Sequence, residues 1–169
     1  MRTRLKWLGL VFMALSISWG CGSHASEELG RYVNLKNKFS MVLPSGWEKM
    51  SRPGMSVTVG TKKGTVVITV GLIKLGPLLT LEQFKDYFVG AYENASVAVV
   101  KQTKATLGGV SAYDILAEGL MGGSTGYLTT YIAVHGGACY SVSFTAPKAD
   151  YDTYKPLFDQ AIQSFRFEQ

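Results

Sequence analysis

Apolar and polar positions along this chain follow two rhythms, one of period two and one of three to four residues. Tyr32-Val33 and the run Phe39 to Leu43 read as two short strands around a turn at Lys36-Asn37. Positions 56–61 and 65–73 read as a hairpin across Lys62-Lys63-Gly64. Four longer strands follow later in a meander. Positions 97–107 and 110–118 flank Gly108-Gly109, a pair that supplies positive φ in a tight turn. Positions 126–134 and 138–146 flank His135-Gly136-Gly137. In the last strand Ala138, Tyr140, Val142, Phe144 and Ala146 share one face, and Cys139, Ser141, Ser143 and Thr145 the other.

The longer rhythm occurs twice. Thr80 with Gln83 forms a capping box ahead of Leu81, Phe84, Tyr87, Phe88, Ala91, Tyr92 and Ala95, an apolar stripe on a surface helix. A second helix is expected to begin near Asp152 or Thr153, with Pro156 in its first turn and a stripe of Tyr154, Leu157, Phe158, Ala161, Ile162 and Phe165. The expected order is four short strands, a helix, four longer strands and a helix. That is α+β with an antiparallel sheet, not the alternating pattern of a dinucleotide fold. Val66 to Val70 is apolar at both alternating sets of positions, so its strand should be covered front and back. Two helices packed on the faces of a central antiparallel sheet, an α/β/α sandwich, satisfy both requirements.

The first residues obey neither rhythm. Arg2, Arg4 and Lys6 precede an apolar run from Trp7 to Trp19, then Gly20-Cys21-Gly22. Thirteen residues fall short of the ~20 needed to span a bilayer core as a helix. The pattern reads as an export signal, residues 1–21, followed by a polar tether over 22–30 and one domain over 31–169. Cleavage before Cys21 with lipid added to its thiol is the favoured ending, because Gly20-Cys21 resembles a bacterial lipobox. Cleavage after Ala25, at Ser23-His24-Ala25, is the alternative. The expected location is thus the periplasmic face of an envelope membrane, or the soluble periplasm.

Export changes how charge and cysteine are read. Residues 22–169 carry fourteen Lys and Arg against twelve Asp and Glu, a net of +2, so most of the chain's +5 belongs to the leader. No block of like charge exceeds Lys62-Lys63, and no basic face with interleaved aromatics is visible for nucleic acid. With Cys21 acylated or removed, Cys139 stands alone and reads as a small buried hydrophobe.

Several motifs recur in a definite order: Tyr32, then Phe39-Ser40-Met41-Val42-Leu43-Pro44-Ser45-Gly46-Trp47, Leu107-Gly108-Gly109 with Ala112-Tyr113, Phe144-Thr145-Ala146-Pro147, Tyr154-Lys155-Pro156, and Ser164-Phe165-Arg166-Phe167. Over residues 31–168 the chain resembles the PsbP-like superfamily. That group includes an extrinsic photosystem II protein, a Ran-binding nuclear import factor and small bacterial lipoproteins of the DcrB-like kind. The resemblance implies an α/β/α sandwich used for binding or assembly, with no shared catalytic site. The matching residues look structural, so none carries a functional role across.

Candidate chemistry is sparse. Gly122-Gly123-Ser124-Thr125-Gly126 fits the G-x-S-x-G pattern, but a nucleophile elbow needs a strand before it and a helix after it. Strands are expected on both sides here, and no acid lies between Ser124 and His135. With His24 near the leader, His135 has no second imidazole for zinc. No catalytic residue, metal ligand or cofactor is assigned, and the expectation is a non-enzymatic protein. The positions singled out are interaction loops: Met50 to Met55, and Leu120 with Met121 in the loop to Thr125. Methionine and leucine beside glycine suit adaptable binding surfaces. The expected role is a lipid-anchored envelope module that binds a protein partner, held to the membrane through Cys21. The alternative is a periplasmic carrier of a small apolar ligand or lipid, with Tyr and Phe lining a cavity.

Overall fold

The computed structural model describes residues 30–61, 64–74, 80–121 and 123–169. The leader, Cys21 and most of the tether lie outside the described residues. Gly30, the last residue of the expected tether, already belongs to the fold, because its carbonyl accepts from the Leu43 amide at 3.2 Å.

Among the described residues ten strands and two helices follow in the order β1 (Arg31–Asn34), β2 (Phe39–Val42), β3 (Glu48–Met50), β4 (Met55–Gly60), β5 (Val67–Lys74), α1 (Leu81–Asn94), β6 (Ala98–Leu107), β7 (Val110–Met121), β8 (Ser124–His135), β9 (Ala138–Pro147), α2 (Lys148–Ser164) and β10 (Arg166–Phe167). Seven strands form one sheet in the order β3-β4-β5-β9-β8-β7-β6, and every pairing in it is antiparallel. β1, β2 and β10 form a second, three-stranded sheet.

The side-chain alternation of β8 and β9 sorts the molecule into layers. Ala133, Tyr140, Val142, Phe144 and Ala146 meet Phe158, Ala161 and Ile162 of α2 on one face. Phe39 and Met41 of the small sheet join them over Val57, Val59, Ile68 and Val70. Ile132 and Cys139 face the other way, where Phe84 of α1 packs with Tyr113 and Ile115. The helices therefore lie on opposite faces, and the fold is the α+β sandwich expected from the pattern. Phe144 and Phe158 stack at 5.3 Å between centroids, and Phe39 and Phe165 at 5.6 Å. Burying each such ring contributes on the order of 1.5–3 kcal/mol.

Four local features differ from the sequence reading. β3 was hidden by its exposed Glu48-Lys49 pair, and it is an edge strand only three residues long. The small sheet was not foreseen as separate. It forms because β2 pairs β1 and the chain's last strand, β10, rather than β3. The second helix begins at Lys148, not near Asp152, and Pro147 at its N-cap offers no side-chain hydrogen bond. Pro156 is consequently inside the helix rather than in its first turn, where it removes one backbone donor. Finally, the Leu120 to Thr125 segment is not a loop. Leu120 pairs with Thr125 and Met121 with Ser124, so β7 and β8 run almost to the tip of their hairpin.

Candidate functional site

The first expected interaction segment forms a tight connection. Met50 closes β3, Met55 opens β4, and the Met55 amide donates to the Arg52 carbonyl at 3.2 Å. A register shift follows between Met55 and Val57, so the start of β4 bulges away from β5. The bulge helps open a recess of about 390 Å³ lined by Lys49, Met50, Ser51, Arg52, Met55 and Thr58, among others. Met50 reaches across the sheet toward the hairpin glycines. A Cβ placed on Gly60 would lie 3.3 Å from its Sδ, and one on Gly64 would lie 2.9 Å from its Cε. Met55 lies beside Gly71 in the same way, at 3.5 Å.

The second expected segment is elsewhere. Leu120 is 80% exposed on β7, beside the hairpin tip. Met55 pairs with Gly71, which leads through Ser141 and Ile132 to Tyr113, and Leu120 is seven residues further along β7. Four strand spacings and seven residues of strand separate the two positions by about 30 Å. The structure therefore does not bring Met50 and Met55 together with Leu120 and Met121. Cys21, the expected lipid acceptor, lies outside the described residues.

Ser124 and His135 stand at the two ends of one strand, β8. Eleven residues of extended chain hold them about 37 Å apart, so they form no nucleophile–base pair. His135 instead stacks on Phe167 at 4.2 Å.

A polar cluster missed by the sequence reading lies beneath α2. Asp114 of β7 is opposite Tyr131 of β8 in the ladder, and Lys155 pairs with Asp159 on the helix above. Burial pushes the Asp114 carboxyl above its ordinary value, with Lys155 opposing that shift. Tyr131 is pushed up to about 12, first by burial and then by the charges of Asp114 and Asp159. A recess of about 460 Å³ opens next to Tyr131, between Ala105 and Gly108 on one side and Ile162 and Arg166 on the other. The signal in the sequence was Asp114 itself, the acid between Ala112 and Leu116 on one face of the strand.

A third recess, of about 230 Å³, is lined by Tyr32, Leu43, Trp47 and Lys49. Trp47 packs edge-on against Tyr154 at 6.1 Å, and the Lys49 ammonium sits 5.7 Å from the Tyr32 ring centre.

This layering recurs in solved structures. Cyanobacterial PsbP (CyanoP) from Synechocystis sp. PCC 6803 superposes with a TM-score of 0.65 at 16% identity, covering 87% of this chain and 98% of its own. LpqN of Mycobacterium tuberculosis, described as involved in cell envelope biogenesis, gives 0.57 at 16% identity over 78% and 83% of the two chains. The Ran-binding protein Mog1p of Saccharomyces cerevisiae gives 0.55 at 9% identity over 81% and 94%. None of these three is described as DcrB-like, and at such identities they speak to the fold alone. No curated protein sequence matches the chain. The PsbP family model, however, matches residues 27–167, nearly the whole of the folded part. With its two helices on opposite faces of an antiparallel sheet, this chain belongs to the PsbP family.

Proposed function

We propose that the protein is an exported, lipid-anchored and non-enzymatic envelope module that binds another envelope protein. The observation that carries this reading is the pair of well-separated, exposed apolar points on a rigid sheet, the Met50–Met55 turn and the Leu120 hairpin. Exposed methionine and leucine at strand ends offer adaptable contact without large ordering entropy. The likeness to LpqN, a protein described as involved in cell envelope biogenesis, agrees with the export signal read from residues 1–21. Mog1p, a Ran-binding protein, is an example of this fold in the service of protein recognition.

The test is a pull-down from detergent-solubilised envelopes with the full chain as bait. One defined protein is expected to be retained by the wild type. It should be lost when Met50, Met55, Leu120 and Met121 are replaced by Glu. Retention of the same protein by that variant would remove the reading. A carrier of a small apolar ligand is the competing reading, favoured by the recess at Tyr32, Leu43 and Trp47. Native mass spectrometry separates the two, since a carrier leaves the cell with a co-eluting lipid.

A further inference from the structure

We propose that the end of the molecule formed by the β1–β2 turn, the β3–β4 turn and the end of β5 docks on the anionic phospholipid surface of the membrane. The inference rests on the envelope location proposed above; it gives the Met50–Met55 turn to the bilayer and leaves the Leu120 hairpin to the protein partner. Its ground is a charge asymmetry that the total conceals. Residues 31–74 hold eight Lys and Arg against one acid, Glu48, whereas residues 75–169 hold six against nine. Each turn contributes only one or two cations, so no charged block appears along the chain. The topology gathers four of the eight at this end.

Lys36 and Lys38 lie in the β1–β2 turn, Arg52 in the β3–β4 turn and Lys74 at the end of β5, all four exposed. The β1–β2 turn is held to this end of the large sheet, because Asn37 Nδ2 donates to Ser56 Oγ of β4 at 2.9 Å and the Tyr140 hydroxyl of β9 donates to the Asn37 carbonyl at 2.9 Å. Met55 is opposite Gly71 in the ladder, three residues before Lys74. Of the six cations in residues 75–169, Lys85, Lys148 and Lys155 form ion pairs with Glu82 and Asp86, Glu118 and Asp159 respectively. Lys36, Lys38, Arg52 and Lys74 have no such pairing among the described residues.

Apolar side chains stand out between these cations. Leu35 is 69% exposed in the β1–β2 turn, Met55 45% and Ile73 40%. Cations interspersed with single protruding apolar groups match the chemistry of an anionic interface. Ammonium and guanidinium groups are drawn to lipid phosphates, while Leu, Met and Ile enter the acyl boundary. The tether permits this approach. Cys21 precedes Gly30 by nine residues, a reach of about 30 Å when extended. A basic patch adds a second contact with the bilayer beside the lipid on Cys21. The Leu120 hairpin, at the far end of the sheet, would then point away from the bilayer.

The experiment uses the full chain carrying Cys21→Ser, so that no acyl group holds it to lipid, recovered from the exported soluble fraction. It is floated with vesicles containing phosphatidylglycerol and with vesicles of phosphatidylcholine alone. Binding is expected to the first only, and to fall as salt is raised. Lys36→Glu/Arg52→Glu/Lys74→Glu should weaken partitioning by more than about tenfold. Lys101→Glu/Lys104→Glu, which reverses two exposed cations on β6, should leave it within about threefold. The wild-type lipid selectivity and salt dependence stand as a test even if the triple variant folds poorly, which its circular dichroism melt would reveal. Absence of binding to phosphatidylglycerol vesicles, equal binding to both kinds, or equal loss in the β6 variant overturns the inference. So does a wild type that ignores vesicles yet is retained by an acidic protein through these same cations. Failure here with the envelope pull-down intact would leave the protein-binding reading in place, and the reverse outcome would leave membrane docking.

Discussion

Asp114 and Tyr131 face each other across the β7–β8 ladder beneath α2, and the carboxylate there is left short of partners. Asp114 Oδ1 is buried with no hydrogen-bond partner among the described residues. Burial raises the carboxyl's ordinary value, so ionisation is easier in the unfolded chain than in the folded one. Below the unfolded value both states are protonated and the group is neutral toward folding. As pH rises through that value the unfolded state ionises first, and stability falls until the folded value is passed. Asp114→Asn should therefore stabilise the protein at neutral pH, by up to about 1 kcal/mol. The gain should vanish near pH 3. Urea titrations at the two pH values measure it, and a loss of stability at neutral pH would show that the Tyr131 contact outweighs desolvation.

Cys139 is fully buried on β9, and burial alone pushes its thiol up to about 11. A thiolate is the reacting species, so native protein at pH 8 should modify at this residue at least about a hundredfold more slowly than unfolded protein. Peptide mass spectrometry after timed alkylation, with and without urea, reads the ratio directly. Rapid native labelling would make Cys139 an accessible thiol rather than part of the core.

The Thr80 hydroxyl accepts from the Gln83 amide at 3.2 Å, and Gln83 Oε1 accepts from the Thr80 amide at 2.9 Å. Thr80→Ala should cost about 1 kcal/mol. Gln83→Ala should cost less, since the Thr80 amide can turn to water. Chemical denaturation of the two variants tests the order.

Gly71 marks the closest approach within the sheet. A Cβ there would fall 2.6 Å from Ser141 Oγ, its partner across the β5–β9 ladder. Gly71→Ala should destabilise by about 1–3 kcal/mol through overpacking. Adding Ser141→Ala removes the oxygen and should recover at least about half of the loss. A double variant no more stable than Gly71→Ala would place the strain elsewhere.

Local rules carried the parts of this fold that depend on a few neighbouring residues. The capping box at Thr80 was legible because it closes within three residues, and the Gly108-Gly109 and Gly136-Gly137 turns because positive φ selects glycine directly. The family was legible too, since core aromatics and turn glycines recur in a fixed order between Tyr32 and Phe167. The start of α2 was not. Pro156 suggested a first turn, but the helix begins where the last pairing of β9, Pro147 with Gly126, releases the chain.

The amino-acid order alone determined the leader pattern, the two amphipathic stripes and the two-faced strands, because each is a periodicity read over adjacent residues. Register decided the rest. It placed Ser124 and His135 at opposite ends of β8, set Asp114 against Tyr131, and separated Met55 from Leu120 by the length of a strand. It also drew four cations, from two turns and the end of β5, to one end of the sheet. A contact between residues far apart in the chain depends on which strands pair and in what alignment, and no local pattern encodes that.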